Sequence, residues 1–313
     1  MKAVGVTEFG GPEALRVVEI PAPHAGPGEI RLRVHAAAVN PADVLVRTGA
    51  GGATMGGATP PHVPGMDAAG VVDEIGDGAA TPLRPGDRAM AVVLPSAGRG
   101  AYAEYVVVPA ASVAAAPAGA DFAAASTLPM NGLTARMALD MLALARGQTL
   151  LVTGAAGAVG GYAVQLARYE GIRVVADAAP ADEALVRELG AEVVVPRGDN
   201  AAAVALDAAP GGVDGVVDAA LYGQAILPAV RDGGAVALLR HTVTAVPERG
   251  IGLHQVAVSR VARDRDKLDR LRELAESGTL TLRVARTFRP EQASEAHRLL
   301  AAGGIRGRLV IEF

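Results

Sequence analysis

The sequence predicts an α/β protein of two domains, one β-rich and one a doubly wound parallel sheet that binds a dinucleotide. Three observations predict it. A short apolar run, Thr149–Val152, leads into a glycine turn with Gly154, Gly157 and Gly160 at spacings of three. A helical pattern follows, with Val159, Ala163, Leu166 and Ala167 on one face, and then a second apolar run, Ile172–Ala176. This is a βαβ unit whose turn can hold a pyrophosphate, because unpaired N–H groups and the helix dipole both favour an anion there. The second observation is the N-terminal third, where short β-type runs alternate with Gly/Pro turns. The third is the stretch after the glycine turn, where strand and helix patterns alternate as in a parallel sheet covered on both faces.

Composition narrows the function. With 313 residues the chain is long enough for two full cores. Half the residues are hydrophobic, but there is no Trp, four Phe and five Tyr, so those cores must be aliphatic. A net charge of −4 gives no electrostatic case for nucleic acid or an anionic membrane. The only lysines are Lys2 and Lys267, which removes a P-loop lysine and leaves no Schiff-base candidate. Absence of Cys excludes disulfides, a thiol nucleophile and cysteine-held zinc. The N-terminal MKAVGVTEFGG lacks the apolar core of a signal peptide, and Gly, Pro or charge interrupts every long apolar stretch. A cytoplasmic protein is expected.

In chain order, β-type runs fall at Lys2–Thr7, Leu15–Ile20, Ile30–Val39, Ala68–Ile75, Arg88–Val93 and Ala103–Val108, and suggest a small, irregular barrel. Between the third and fourth lies a loop, Arg47 to Gly65, too rich in Gly and Pro for helix or strand and expected to act as a lid. The Ala-rich run 110–125, broken by Pro117, reads as the domain junction. Two helical pieces parted near Pro129 follow it. Beyond the glycine turn, Glu192–Val195, Gly215–Asp218 and Gly234–Leu239 read as buried strands, preceded by helical segments at Ala181–Leu189, Ala201–Ala208 and Gln224–Arg231. Leu253–Ser259 is a candidate edge strand. Residues 265–277 form a charged amphipathic helix with Leu268, Leu271 and Leu274 on one side, and the tail reads strand, helix, strand.

The order and its motifs resemble the medium-chain dehydrogenase/reductase superfamily, most closely its zinc-free quinone oxidoreductase (zeta-crystallin-like) branch. The resemblance spans nearly the whole chain and rests on MKAVGVTEFGGPEAL at the start, AAAVNPAD at 36–43, PGMDAAGVV at 64–72 and RPGDRA at 84–89. Further matches are AYAEYVVVP at 101–109, LPMNGLTA at 128–135, GAAGAVGGYAVQLA at 154–167 and EAHRLLAAGGIRGRLV at 295–310. It implies a GroES-like catalytic domain at 1–120, completed by 268–313. A Rossmann domain is implied at 121–267, with the active site in the cleft between the two. It also implies a homodimer paired through an edge strand. The departures matter equally. Asn40 stands at the position of the zinc-ligand Cys, and Met66 and Asp67 where His and Glu would be, so no metal is expected. Val44 and Leu45 follow the Asn-Pro-x-Asp segment where the branch often carries a Tyr, which leaves a tyrosine proton donor without a residue.

Candidate sites follow from both lines of argument. Gly154, Ala155, Ala156, Gly157, Ala158, Val159 and Gly160 form the turn and helix start that would hold the pyrophosphate, with Ala155 replacing the first glycine of G-x-G-x-x-G. Asp177 lies about 20 residues beyond Gly157, where an acid bonds a ribose 2′-hydroxyl and repels a 2′-phosphate. It is followed by Ala178 and a loop without a cation; as an alternative, Asp177 caps the next helix or points away. Arg197, after the third strand, is the candidate for a 2′-phosphate, or an ordinary surface residue. Ala219, Ala220, Leu239 and Arg240, with His241, follow later strands at the carboxyl edge where such sheets bind ligands. By resemblance, Asn40 lies beside the nicotinamide, with Asn131 and Thr134 near it and its ribose. On turn chemistry alone, Asn40 reads equally as an Asx turn before Pro41, and Asn131 as an N-cap. His35, His297 and Tyr102 read as structural. His62, in the lid, is the one His placed to donate a proton, and packing is the preferred reading for it too.

The expected activity is NAD(P)H-dependent hydride transfer to a quinone, an enone or a related activated carbonyl of a small-molecule substrate. Carbonyl polarisation would fall to backbone N–H groups, a ribose hydroxyl or Asn40. The resemblance favours NADPH and the local chemistry NADH, and NADPH is carried forward. The alternative is a dinucleotide-binding sensor or structural protein with little catalysis.

Overall fold

The computed structural model describes residues 1–50, 58–240 and 242–313. Residues 51–57 of the expected lid, and His241, lie outside the described residues. The chain divides into two compact units, Met1–Met130 with Ala262–Gly278 and Leu282–Phe313, and Asn131–Val261 with Thr279–Thr281.

The first unit opens with β1 (Lys2–Gly5), β2 (Arg16–Glu19) and the long β3 (Glu29–Ala38). In β3, Ile30, Leu32 and Val34 are buried while Arg31 and Arg33 alternate with them, as period-two patterning requires. A short helix, α1 (Asp43–Thr48), follows and ends at Gly49 with φ 78°. Its last two residues, Arg47 and Thr48, open the segment expected to be a lid loop. Next come β4 (Asp67–Ile75), β5 (Arg88–Val92), β6 (Tyr105–Pro109) and β7 (Val113–Ala115), then α2 (Phe122–Ser126). Phe122 and Ala123 of α2 pack on Ala36, Ala38 and Val310, so α2 belongs with the first unit although it lies beyond the composition shift near 120.

Helix α3 (Pro129–Leu142) carries the chain into the second unit. There β8 (Thr149–Thr153), α4 (Ala158–Tyr169) and β9 (Arg173–Ala178) are the βαβ unit read from the sequence. Ala163, Leu166 and Ala167 of α4 are buried as expected, while Val159, in its first turn, is only partly so. After α5 (Glu183–Leu189) come β10 (Val193–Pro196), α6 (Ala201–Ala208), β11 (Val213–Asp218), β12 (Val230–Leu238) and β13 (Gly252–Gln255). The segment expected to be helical at Gln224–Arg231 is instead a 3₁₀ turn, Gly223–Ala229, with Pro228 inside it, and β12 begins at Val230. The six strands are all parallel, in the order β10-β9-β8-β11-β12-β13. This is the 3-2-1-4-5-6 order of a dinucleotide-binding sheet, whose crevice opens between the first and fourth strands at their carboxyl ends. Its core is aliphatic, with Leu151, Val175, Val216, Ile226, Leu227, Val236 and Leu238 packed together.

The chain returns to the first unit through α7 (Arg265–Glu276), β14 (Val284–Phe288), α8 (Ala293–Ala302) and β15 (Arg308–Glu312). One edge of β3 pairs with β6 over Glu29–Arg33 and with β15 over Ala36–Ala38, while β4 takes the other edge. Register shifts between β3 and β4 let one strand serve both neighbours, since an extra residue bends the strand. The result is a mixed seven-stranded sheet beside the β1–β2 pair. No helix among the described residues is long and apolar enough to cross a membrane.

Candidate functional site

The glycine turn is built by close approach. Gly154, at the end of β8, has φ 64°, a conformation L side chains rarely adopt. A Cβ at Gly160 would lie 2.3 Å from the Gly154 carbonyl oxygen, so only glycine lets α4 seat on the turn. Gly157 caps α4 without a side chain, and its N–H returns to the Gly154 carbonyl at 2.9 Å. The first-turn N–H groups of Ala158, Val159 and Gly160 therefore have no intrahelical partner, which is the geometry that holds an anion. Ala155 and Ala156 complete the turn and are buried.

The neighbouring strand ends frame this turn. Asp218, fully buried at the end of β11, accepts from the Thr153 hydroxyl at 2.8 Å and from the N–H groups of Tyr222 and Gly223 at 3.0 and 2.8 Å. It thereby pins the loop of Ala219 and Ala220, where the non-glycine Leu221 sits at φ 66°. The Ala220 N–H donates to Thr153 Oγ1 at 2.9 Å.

Asp177 is the penultimate residue of β9 and is 1% exposed. Its Oδ1 accepts the Gly154 N–H at 2.5 Å and its Oδ2 the Tyr222 hydroxyl at 3.2 Å. Burial pushes its pKa up, against the pull of the Gly154 N–H and the Arg197 guanidinium. Its carboxylate is thus turned onto the glycine turn. Neither a helix cap nor an outward ribose ligand describes it. Arg197 follows β10, is exposed, and donates its backbone N–H to the Ala178 carbonyl at 3.0 Å. Leu239 and Arg240 follow β12, Leu239 partly buried and Arg240 exposed. The structure therefore gathers the turn, Asp177, Ala178, Arg197, Ala219, Ala220, Leu239 and Arg240 at the carboxyl ends of five adjacent parallel strands. The cradle fits a dinucleotide. Asn131 lies inside α3 rather than capping it and is buried; Thr134, one turn on, is half-buried.

In the first unit Asn40 is 2% exposed and held by two buried carboxylates. Its N–H donates to Asp43 Oδ2 at 2.7 Å. Its Nδ2 donates to Asp67 Oδ2 at 2.6 Å and lies 3.4 Å from the Ala38 carbonyl. Two acceptors on that side fix the amide's orientation, because the reverse would set two oxygens against them. The side chain makes no Asx turn; Asp43 reaches back to Asn40 instead. Both side-chain N–H bonds are committed, and Oδ1 is buried without a partner. The amide N–H groups of Asn40 therefore face protein acceptors. Asn40, Met66 and Asp67 do not suit zinc, since Asn40 turns its N–H toward Asp67. Among the described residues no three His, Asp or Glu side chains cluster as a ligand set.

Sequence reasoning missed how these acids are used. Burial raises Asp43 to about 6, although it also accepts from the Gly65 N–H and the Tyr102 hydroxyl. Asp67, which also accepts the Met130 N–H at 2.6 Å, is raised by burial to about 7. The Tyr102 hydroxyl lies 3.2 Å from His297 Nε2, and burial lowers His297 to about 4, so it is neutral. Tyr102 and His297 are buried as expected, but they join a polar network. The available signals were an acid three residues after Asn40, and one opening a strand whose next five residues are apolar or Gly. His62 is 5% exposed and stacks on Phe9 at 5.0 Å. A cavity of about 460 Å³ lined by Pro82, Leu83, Val113 and α7 residues shares none of these groups and is not the functional site.

The raised Asp67 has a consequence for stability. Unfolded, it releases its proton near 3.8; folded, near 7. Its contribution to stability is thus greatest at the acid end and is lost as pH rises from about 4 to about 7, then stays level. Denaturant titrations across that window are expected to show wild type losing stability relative to Asp67→Asn. Parallel profiles would contradict the assignment.

Comparison with known proteins agrees with this geometry. Residues 26–118 match the alcohol dehydrogenase GroES-like domain and residues 189–311 the zinc-binding dehydrogenase domain. A solved structure described as an NAD-dependent alcohol dehydrogenase superposes with a TM-score of 0.85 at 31% identity, covering 100% of both chains. The chain belongs to the medium-chain dehydrogenase/reductase superfamily. The quinone oxidoreductase of Rattus norvegicus is 35% identical over 62% of this chain and 58% of its own length. The NADPH-dependent alkenal/one oxidoreductase of Arabidopsis thaliana is 33% identical over 78% and 64%. The chain thus spans less than two thirds of the length of these curated relatives. Family membership accounts for the mixed first sheet completed by β15 and for the dinucleotide-type second sheet.

Proposed function

We propose that this chain is an NAD(P)H-dependent reductase that delivers a hydride to a quinone, an enone or a related activated carbonyl without a metal. The observation that carries the reading is the side-chain-free cradle of Gly154, Gly157 and Gly160 beneath unpaired helix N–H groups at the sheet's switch point. Similarity to quinone and alkenal/one oxidoreductases supports the substrate class. A reduced nicotinamide dinucleotide bound there would supply the hydride.

The chain's own residues bind and orient. The N–H groups of Ala158, Val159 and Gly160 hold the pyrophosphate, and Asp177 and Asp218 hold the loops that shape its seat. NADPH is the dinucleotide we carry forward. Asp177 is turned inward, and Arg197 is an exposed cation just past β10. The relative named NADPH-dependent supports this, and the one named NAD-dependent weighs against it.

Asn40 has no N–H left for a carbonyl, so it accepts a hydrogen bond from a ligand hydroxyl or amide. Without a strong donor at the reacting oxygen, the site suits acceptors whose developing charge is delocalised over an enolate or hydroquinone ring, with water as proton source. Simple ketones need firmer stabilisation of a localised alkoxide. In the second unit β13 ends the sheet, and an open edge is a natural place for a second copy to pair.

A panel of quinones, enones, aldehydes and alcohols, followed by loss or gain of reduced-dinucleotide absorbance, tests the reading. Reduction of quinones or enones with little alcohol oxidation is expected. Alcohol turnover without enone or quinone reduction would refute it. Cofactor binding with no turnover of any acceptor would favour a sensor.

A further inference from the structure

One tyrosine links loops that shape the dinucleotide seat. Tyr222, half-buried after β11, donates from Oη to Asp177 Oδ2 at 3.2 Å and lies beside the backbone of Gly198. Its own N–H is held by Asp218 at 3.0 Å. Asp177 is tied through its other oxygen to Gly154, and Gly198 adjoins Arg197. The ends of β8, β9 and β11 thus meet around Tyr222 and Asp177, with the Arg197 guanidinium near enough to act on the Asp177 charge.

This junction brings together the two groups that would read opposite cofactors. A carboxylate near the end of the second strand bonds a ribose 2′-hydroxyl and repels a 2′-phosphate, whereas a guanidinium there accepts the phosphate. Here both carboxylate oxygens face protein donors and the group is 1% exposed, while Arg197 is exposed. We propose that Tyr222 sets the choice of dinucleotide, holding Asp177 inward so that the site presents Arg197 to a 2′-phosphate. It is a positioning residue, acting through Asp177. The inference rests on the reductase reading above.

The test is fluorescence titration of the whole chain with NADPH and with NADH at about pH 8, well above the ordinary carboxylate range. Wild type is expected to bind NADPH more tightly. In Tyr222→Phe, Asp177 Oδ2 loses its donor while Oδ1 keeps the Gly154 N–H. A bare carboxylate oxygen is left to act on the 2′ position, and the ratio of NADPH to NADH affinity is expected to fall about tenfold, what one partly screened charge can supply. Asp177→Asn in wild type is expected to leave the ratio nearly unchanged, because the charge is already hidden. In the Tyr222→Phe background it is expected to restore the ratio. A purely structural tyrosine would weaken both cofactors alike with no rescue, and that result would overturn the proposal. A large loss of NADH affinity in Asp177→Asn alone would overturn it too, and does not depend on the Tyr222 variant folding. A wild type preferring NADH overturns this inference and leaves the reductase reading standing; a wild type binding neither cofactor overturns both.

Discussion

Gly160→Ala is expected to remove dinucleotide binding and lower stability together. The added Cβ would lie 2.3 Å from the Gly154 carbonyl oxygen and 2.8 Å from its carbon, both backbone atoms that cannot swing aside. Alanine would otherwise favour the helix by about 1 kcal/mol over glycine. The overlap outweighs that gain, because overpacking costs about 1–3 kcal/mol and here the strain falls on the turn itself. Displacing the turn moves the N–H groups of Ala158 and Val159, and dissociation constants are expected to rise on the order of a hundredfold. Gly157→Ala separates the two effects. Its Cβ would meet only the Gly154 oxygen, at 3.1 Å, so stability should change little. Binding should still fall, because the pyrophosphate needs bare backbone at the second glycine. Thermal melts and cofactor titrations of both variants check this, and equal melting temperatures for the two would contradict it.

Asp43→Ala is expected to cost about 3 kcal/mol of unfolding free energy, since each buried donor left unmet costs about 1–3 kcal/mol. Three donors lose their acceptor: the N–H groups of Asn40 and Gly65 and the Tyr102 hydroxyl. Removing a carboxyl already raised to about 6 by burial returns part of that cost, which is why the sum stays near 3. Tyr102→Phe removes one donor and leaves Asp43 its two N–H partners. It is expected to cost about 1 kcal/mol. Chemical denaturation of the two variants measures the difference, and a neutral Asp43→Ala would show that Asn40 is positioned by something else.

These residues also mark where the sequence was legible. The unit β8–turn–α4–β9 was readable because each part is local: an apolar run, glycines at fixed spacing and a helical face. The parallel sheet followed from alternation, and the first sheet's return through β15 from resemblance. Helix α1 was not readable, because six residues just ahead of the Gly- and Pro-rich stretch are too few to show a periodicity. Strand β7 was hidden for a similar reason, three residues in an Ala-rich run. Carboxylate roles were the deeper loss. Asp177 stands at the expected place, but the Gly154 N–H and the Tyr222 hydroxyl decide where it points. Asp67 belongs to Asn40 only once β4 lies beside β3. Which donor meets which acid is settled by strand pairing and is not written in spacing.

The most direct test of the account is single-turnover reduction of a cyclic enone by NADPH carrying deuterium at nicotinamide C4. Deuterium is expected on the β-carbon of the saturated ketone, with a solvent-derived proton on the α-carbon and one NADPH consumed per ketone formed. Deuterium on the carbonyl carbon of an allylic alcohol, or bound NADPH that no enone or quinone oxidises, would contradict it.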